Sequence, residues 1–256
     1  MKKISAITVS LTLFLSATAF AAHPLITDDT GVQGAGKFQF ELNGQYSRNN
    51  DGQGAIEQVR QAATALTYGV TDAIDVAVCL PWQKSDLDDN GLATSSSGLS
   101  DVGITVKWHF FDQEGLSLAL RPGITLPTGD FDKGLGNGKA TESLFLISTN
   151  DLKPFMPLTL HMNLGYIRNE SKGEDRVDLW HASFAAVYAA AQSLQIVADI
   201  GTDTNPQKET KMNPAYLLGG VIYSVTESLD VDFGVKGGLN KAEPDFTTLA
   251  GITARW

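Results

Sequence analysis

The chain has 256 residues, 43% of them hydrophobic, with a formal charge of −10 and one cysteine. That length fits one large β domain or two ordinary ones. The acidity argues against nucleic acid as a partner, and the lone Cys79 leaves no intrachain disulfide to brace the fold. Beyond the N-terminus no run of about 18 apolar residues occurs, which excludes a membrane-crossing helix but not a barrel, whose alternating strands average to near-neutral hydropathy.

At the N-terminus Lys2 and Lys3 precede an apolar run from Ile4 to Leu15 and then "SATAFA", with Ala19 and Ala21 in A-x-A spacing. This is the build of a bacterial secretory signal over residues 1–21, cut between Ala21 and Ala22; a short buried helix is the competing reading. Residues 22–36, "AHPLITDDTGVQGAG", are polar and punctuated by glycine. They fit a periplasmic tail, or a plug folded into a barrel mouth, since a barrel of about twelve strands leaves a gap that side chains alone do not fill.

From residue 37 onward the dominant pattern is a period of two, which marks strands with one apolar and one polar face. Phe38, Phe40, Leu42 and Tyr46 oppose Gln39, Glu41, Asn43 and Gln45. Ile56 to Tyr68 alternates only in its second half. Ile74, Val76, Val78, Leu80 and Trp82 oppose Asp75, Ala77 and Cys79. Val102, Ile104, Val106, Trp108 and Phe110 oppose Asp101, Thr105, Lys107 and His109. Leu116 to Leu126 repeats the scheme with Arg121 on the polar side, Glu142 to Thr149 is mixed, and Leu158 to Tyr166 sets His161 and Asn163 against Leu160, Met162 and Leu164. Four more segments follow: Trp180 to Tyr188, Leu194 to Ile200, Tyr216 to Ile222 and Leu229 to Val235. The terminal run "FTTLAGITARW" alternates to its last residue. Short connections such as "FDQEG" and "VTES" alternate with long ones such as "QKSDLDDNGLATSSSGLSD" and "TGDFDKGLGNGKATE". This predicts an all-β, transmembrane, antiparallel up-and-down barrel of about 12 strands over residues 37–256, with short periplasmic turns and long external loops.

A soluble sandwich also alternates. The faces decide between them. The apolar positions are large, and aromatics such as Tyr68, Trp82, Trp108, Tyr166, Trp180 and Tyr188 sit near strand ends, where a girdle straddles the hydrocarbon boundary. The polar faces mix charges of both signs with small residues, which fits a narrow, wet lumen. The predicted lumen-lining residues are Glu41, Asp75, Asp101, Lys107, His109, Arg121, His161, His181, Asp199, Asp230, Asp232, Lys236 and Arg255. Rings of such charge set selectivity in pores, or pair across the interior and brace it. The last strands of bacterial outer-membrane barrels typically end on an aromatic residue that the assembly machinery recognises, and Trp256 resembles that signal.

Four stretches together resemble the outer-membrane transporter family named for the meta-pathway of phenol degradation. They are "HPLITDDTGVQGAGKFQFELNGQY" from His23, "LTYGVTDAIDVAVCLPW" from Leu66, "GLSDVGITVKWHF" from Gly98 and "LRPGITLPTGD" from Leu120, with "KGLGNG" following. The resemblance covers most of the chain after the signal. It implies passage of small molecules, aromatic or hydrophobic ones among them, across the outer membrane. It supplies no catalytic motif.

Other chemistry is thinly signalled. "GDFDKGLGNGKAT" lacks the strand-then-helix context of a phosphate loop, and Ala140 stands where Ser or Thr should follow the Lys; a glycine-rich external loop explains it. The four histidines lie in separate segments without metal-ligand spacing, although His109, His161 and His181 share the polar faces and could meet in the lumen. His181 and Ser183 lie two apart on one face, which raises an embedded lipase or acyltransferase that would also need an orienting third group and an oxyanion site. The expected protein is therefore a passive outer-membrane channel or transporter, with an embedded enzyme or a structural, adhesive barrel as alternatives. No cofactor or metal is expected; its partners are outer-membrane lipids, the barrel assembly machinery and a small-molecule solute.

Overall fold

A computed structural model of the chain describes residues 23–256 except 51, 53, 154 and 155. The predicted secretion signal, residues 1–21, lies outside the described residues. Thirteen strands make up the rest: β1 (Phe38–Asn50), β2 (Ala55–Thr71), β3 (Ile74–Asp89), β4 (Leu92–Leu99), β5 (Val102–Gln113), β6 (Leu116–Leu126), β7 (Thr141–Asp151), β8 (Leu158–Asn169), β9 (Asp178–Ala191), β10 (Leu194–Asp203), β11 (Ala215–Thr226), β12 (Leu229–Gly238) and β13 (Phe246–Arg255). All pairings are antiparallel. β1 bonds both β2 and β13, and β2 bonds β3, so the sheet closes on itself; β4 pairs with β3 alone.

β4 and β5 share one place in the wall. β3 pairs through Trp82–Asp89 with β4 and through Ile74–Cys79 with β5, so the two are halves of a strand broken at Ser100 and Asp101. The wall is thus a 12-stranded barrel. This revises one sequence reading. The Ser- and Asp-rich stretch 83–101 lacks an apolar face and predicts a long loop, yet residues 83–99 belong to a hairpin that extends the wall. Its turn is Asn90-Gly91, with φ of 52° and 88°, the doubly left-handed turn that matches strand twist and that glycine admits without strain. Glu114-Gly115 joins β5 to β6 in the same way, with φ of 52° and 86°.

The alternation is turned outward on its apolar side. Leu80, Leu164, Leu217 and Phe233 are each about half exposed, while the wall residues Ala77, Asn163, Leu218 and Asp232 beside or between them are buried. Aromatics form two bands on this face. Phe38 stacks on Trp256 with centroids 5.8 Å apart at the short-turn rim, and Tyr166 meets Trp180 at 5.1 Å near the other. Trp180 and Tyr188 lie eight residues apart on β9, about 27 Å along a strand, which suits a hydrocarbon layer crossed at a tilt.

The interior departs from the expected wet lumen. Leu25, Ala185, Val197, Tyr216, Leu218, Ile222 and Leu249 form one buried apolar cluster, and Ala119, Phe145, Ile147, Ile167 and Leu179 a second. This is why Glu142 to Thr149 reads as mixed: β7 faces lipid outward and packed apolar groups inward.

Candidate functional site

The site is the barrel interior, and its occupant is the chain's own N-terminal segment, residues 23–36. His23 Nδ1 lies 2.5 Å from Asp232 Oδ1 on β12. Pro24 lies over a pair of wall glycines in register, Gly220 and Gly234, where an added Cβ would come within 2.8 Å of its ring. Leu25 enters the first apolar cluster, with Ile26 packed against it.

Asp199 on β10 then takes the turn of chain that follows. It accepts the backbone N–H groups of Ile26 and Thr27 at 2.7 and 2.8 Å, and the Thr27 and Tyr216 hydroxyls at 2.8 and 3.1 Å. A buried carboxylate is costly unless its lone pairs are met, and here the segment supplies all but the Tyr216 bond.

Asp28, with none of its surface exposed, crosses to the other wall. Lys107 Nζ lies 2.8 Å from its Oδ1 and Arg121 Nη1 2.9 Å from its Oδ2. In the amide orientation that satisfies both its ends, Asn163 accepts from the Asp28 N–H at 2.7 Å and donates to the Asp28 carbonyl at 2.9 Å. Lys107 also donates to the carbonyls of Asp29 and Gly31, and the Thr30 hydroxyl meets that of Ser117 at 2.5 Å. The Gln33 N–H donates to Asp75 at 2.9 Å and the Ala35 N–H to Asp72 at 3.1 Å. Gly36 then joins the wall through its N–H to the Gly69 carbonyl at 2.8 Å.

Below the segment, at the short-turn rim, lies a cavity of about 540 Å³ bounded by Asp29, Gln33, Lys107, Phe38, Arg255 and Trp256. At the long-loop rim, Asp101 accepts the N–H groups of Gly129 and Asn137 at 2.8 Å each, folding the β6–β7 loop inward. Arg176 donates to the carbonyls of Asn205, Gln207, Lys208 and Thr210, tying two further loops together. Glu243, in the β12–β13 loop, reaches Lys236 at 2.6 Å; burial pushes its carboxyl above the ordinary range, against the pull of that lysine.

The residues singled out from sequence fall in three groups. Asp75, Lys107, Arg121, Asp199 and Asp232 touch the segment directly, and His161 does so through Thr149, which accepts from the Thr30 N–H. Glu41 bonds Gln39 and Asn43 within the wall, and Arg255 pairs with Asp230 at 2.6 Å and with Gln39. Asp101 and Lys236 hold loops, and His109 meets the Phe111 carbonyl at a bulge near the rim. The histidines do not converge, and among the described residues no group suited to a metal occurs. What sequence reasoning missed is Asp28: "TDD" gives no sign of partners 79 and 93 residues away.

His181 does meet an orienting group. Its Nδ1 lies 2.7 Å from Asp203 and its Nε2 2.9 Å from the Ser183 hydroxyl, the order of contacts in a serine-hydrolase triad. The rest of that machinery does not gather there. Ser183 lies mid-strand with its backbone in the ladders to β8 and β10, and its cross-strand neighbour Asn163 is engaged with Asp28.

A closed antiparallel barrel with a lipid-facing apolar band, aromatic girdles and a polar interior defines the class of outer-membrane β-barrels. The chain belongs to the family described as "Putative MetA-pathway of phenol degradation", which matches residues 24–256. No curated protein matches it in sequence. Among solved structures it is similar in fold to the β domain of the Bordetella autotransporter BrkA (TM-score 0.57, 12% identity, 86% of this chain and 100% of that one). It is also similar to the NanC porin (0.55, 9%, 84% and 98%) and to the KdgM porin in complex with disordered oligogalacturonate (0.55, 5%, 85% and 98%).

Proposed function

We propose that the protein is an outer-membrane channel for small molecules, and that residues 23–36 close its path. The observation that carries this reading is the seat of the segment. The wall is thinned to glycine where Pro24 lies, and Asp199, Lys107 and Arg121 turn their bonds on a piece of chain that is not part of the wall. A barrel needed only as a scaffold or a display platform has no use for a lumen shaped around a separable segment. Outer-membrane lipids cover the apolar band. Trp256, at the closing seam of β1 and β13, offers the assembly machinery its aromatic end. Export through the periplasm follows from the leader. Ser183 and His181 serve as an interior hydrogen-bond network rather than a hydrolase, because a nucleophile without oxyanion donors lacks the largest part of the rate enhancement.

The test is osmotic swelling of liposomes carrying the refolded mature chain or a variant lacking residues 24–36. Small neutral solutes should enter slowly with the full chain and several-fold faster with the shortened one. If the shortened barrel folds but passes nothing, the structural reading replaces the channel.

A further inference from the structure

We propose that Lys107 and Arg121 form a binding site for the carboxylate of a small organic acid, and that Asp28 occupies this site as a built-in stand-in. The inference rests on the channel reading and adds the chemistry of the solute. Lys107 on β5 and Arg121 on β6 are both buried, and each addresses a different oxygen of one carboxylate, at 2.8 and 2.9 Å. Charge-assisted bonds to both oxygens are how a carboxylate is recognised. The guanidinium is held independently of the segment, with its carbon 4.7 Å from the centre of the Phe145 ring. By contrast, Arg255 is paired with Asp230, a neighbour in the wall itself. The charge that Lys107 and Arg121 meet is carried on a segment that must shift for anything to pass.

The 540 Å³ cavity reaches the lysine from the short-turn rim, and its lining includes Lys107, Arg255 and Gln33. That volume is in the range of small-ligand sites, and the cations in its lining suit a molecule with one negative group. A carboxylate entering there takes the place of Asp28, and two buried cations are never left without an anion. Solute binding and release of the segment are thereby one exchange, and each opposes the other in the resting protein.

Benzoate and its neutral counterpart benzyl alcohol test this on the full mature chain in planar bilayers, with Asp28→Asn and Asp28→Ala beside the unaltered protein and folding checked by heat-modifiable gel mobility. With the competing carboxylate gone, benzoate should saturate its effect on the current at a concentration about tenfold lower, as expected when a site is freed from an internal occupant. Benzyl alcohol should act the same on all three. Adding Lys107→Gln and Arg121→Gln to Asp28→Ala should abolish the benzoate effect while ion current persists; should that variant not fold, the Asp28→Asn comparison still decides. If the Asp28 variants conduct but respond to benzoate and benzyl alcohol alike, Lys107 and Arg121 are only a clamp and the proposal falls while the channel stands. If neither they nor the barrel lacking residues 24–36 conducts, both readings fall.

Discussion

Residues 23–27 and residues 28–30 occupy the same lumen but are seated by different forces. The first stretch is fitted by shape: Pro24 over Gly220 and Gly234, Leu25 among Val197, Leu218 and Leu249, and two backbone amides on Asp199. The second is fixed by charge, with Asp28 between Lys107 and Arg121. Apolar packing is proportional to area and tolerant of its partner, but it demands room. A buried ion pair is intolerant of losing either member, yet indifferent to which molecule supplies the carboxylate. The first stretch therefore behaves as an anchor and the second as a latch.

The largest effect should come from breaking the latch. Asp28→Ala leaves two buried cations without their carboxylate, and removing one partner of a buried pair costs about 3–5 kcal/mol. Hydrogen exchange of the Thr30 and Gln33 amides should accelerate strongly while that of the β8 and β9 ladder does not. Equal protection in the variant would mean the ion pair does not hold the segment.

A smaller effect is expected at the anchor. Gly234→Val builds into the space of Pro24, and overpacking of this kind costs about 1–3 kcal/mol. The barrel should still fold, because the lost contacts belong to the segment, and protease cleavage near His23 should increase. If heat-modifiable barrel is lost instead, the glycine serves the wall and not its occupant.

The smallest concerns Ser183. Ser183→Ala removes one hydrogen bond to His181, worth about 0.5–1.5 kcal/mol, and flux should not change. A fluorophosphonate should leave Ser183 unlabelled. Labelling that disappears in His181→Ala would revive the embedded hydrolase.

The outer face of this barrel was legible in the sequence because lipid imposes one rule on every strand that crosses it. Val76, Val78 and Leu80, or Met162 and Leu164, answer to hydrocarbon whatever lies inside. The inner face obeys its contents, which are local and various. Phe145 and Ile147 blur the alternation of β7 because they pack among apolar groups inside the barrel. Residues 83–99 read as loop because the wall beyond the hydrocarbon is wet on both sides and no longer alternates, although its backbone ladder continues. The charged positions on the polar faces were visible, but their pairing was not. Lys107, Arg121 and Asp28 become neighbours only through the closure of the barrel around the segment, and nothing in their spacing records it.

In the proposed channel the segment must leave its seat for solute to pass. The hydroxyls of Thr30 and Ser117 lie 2.5 Å apart across the interface between segment and wall, close enough for a disulfide between cysteines at the two positions. Single-channel current should therefore be measured for Thr30→Cys/Ser117→Cys in a Cys79→Ala background, first oxidised and then after addition of reductant. The channel should stay shut while the bond is intact and regain current when it is reduced. Current of the same size in both states would show that solute passes without the segment moving, and the proposed path would fall.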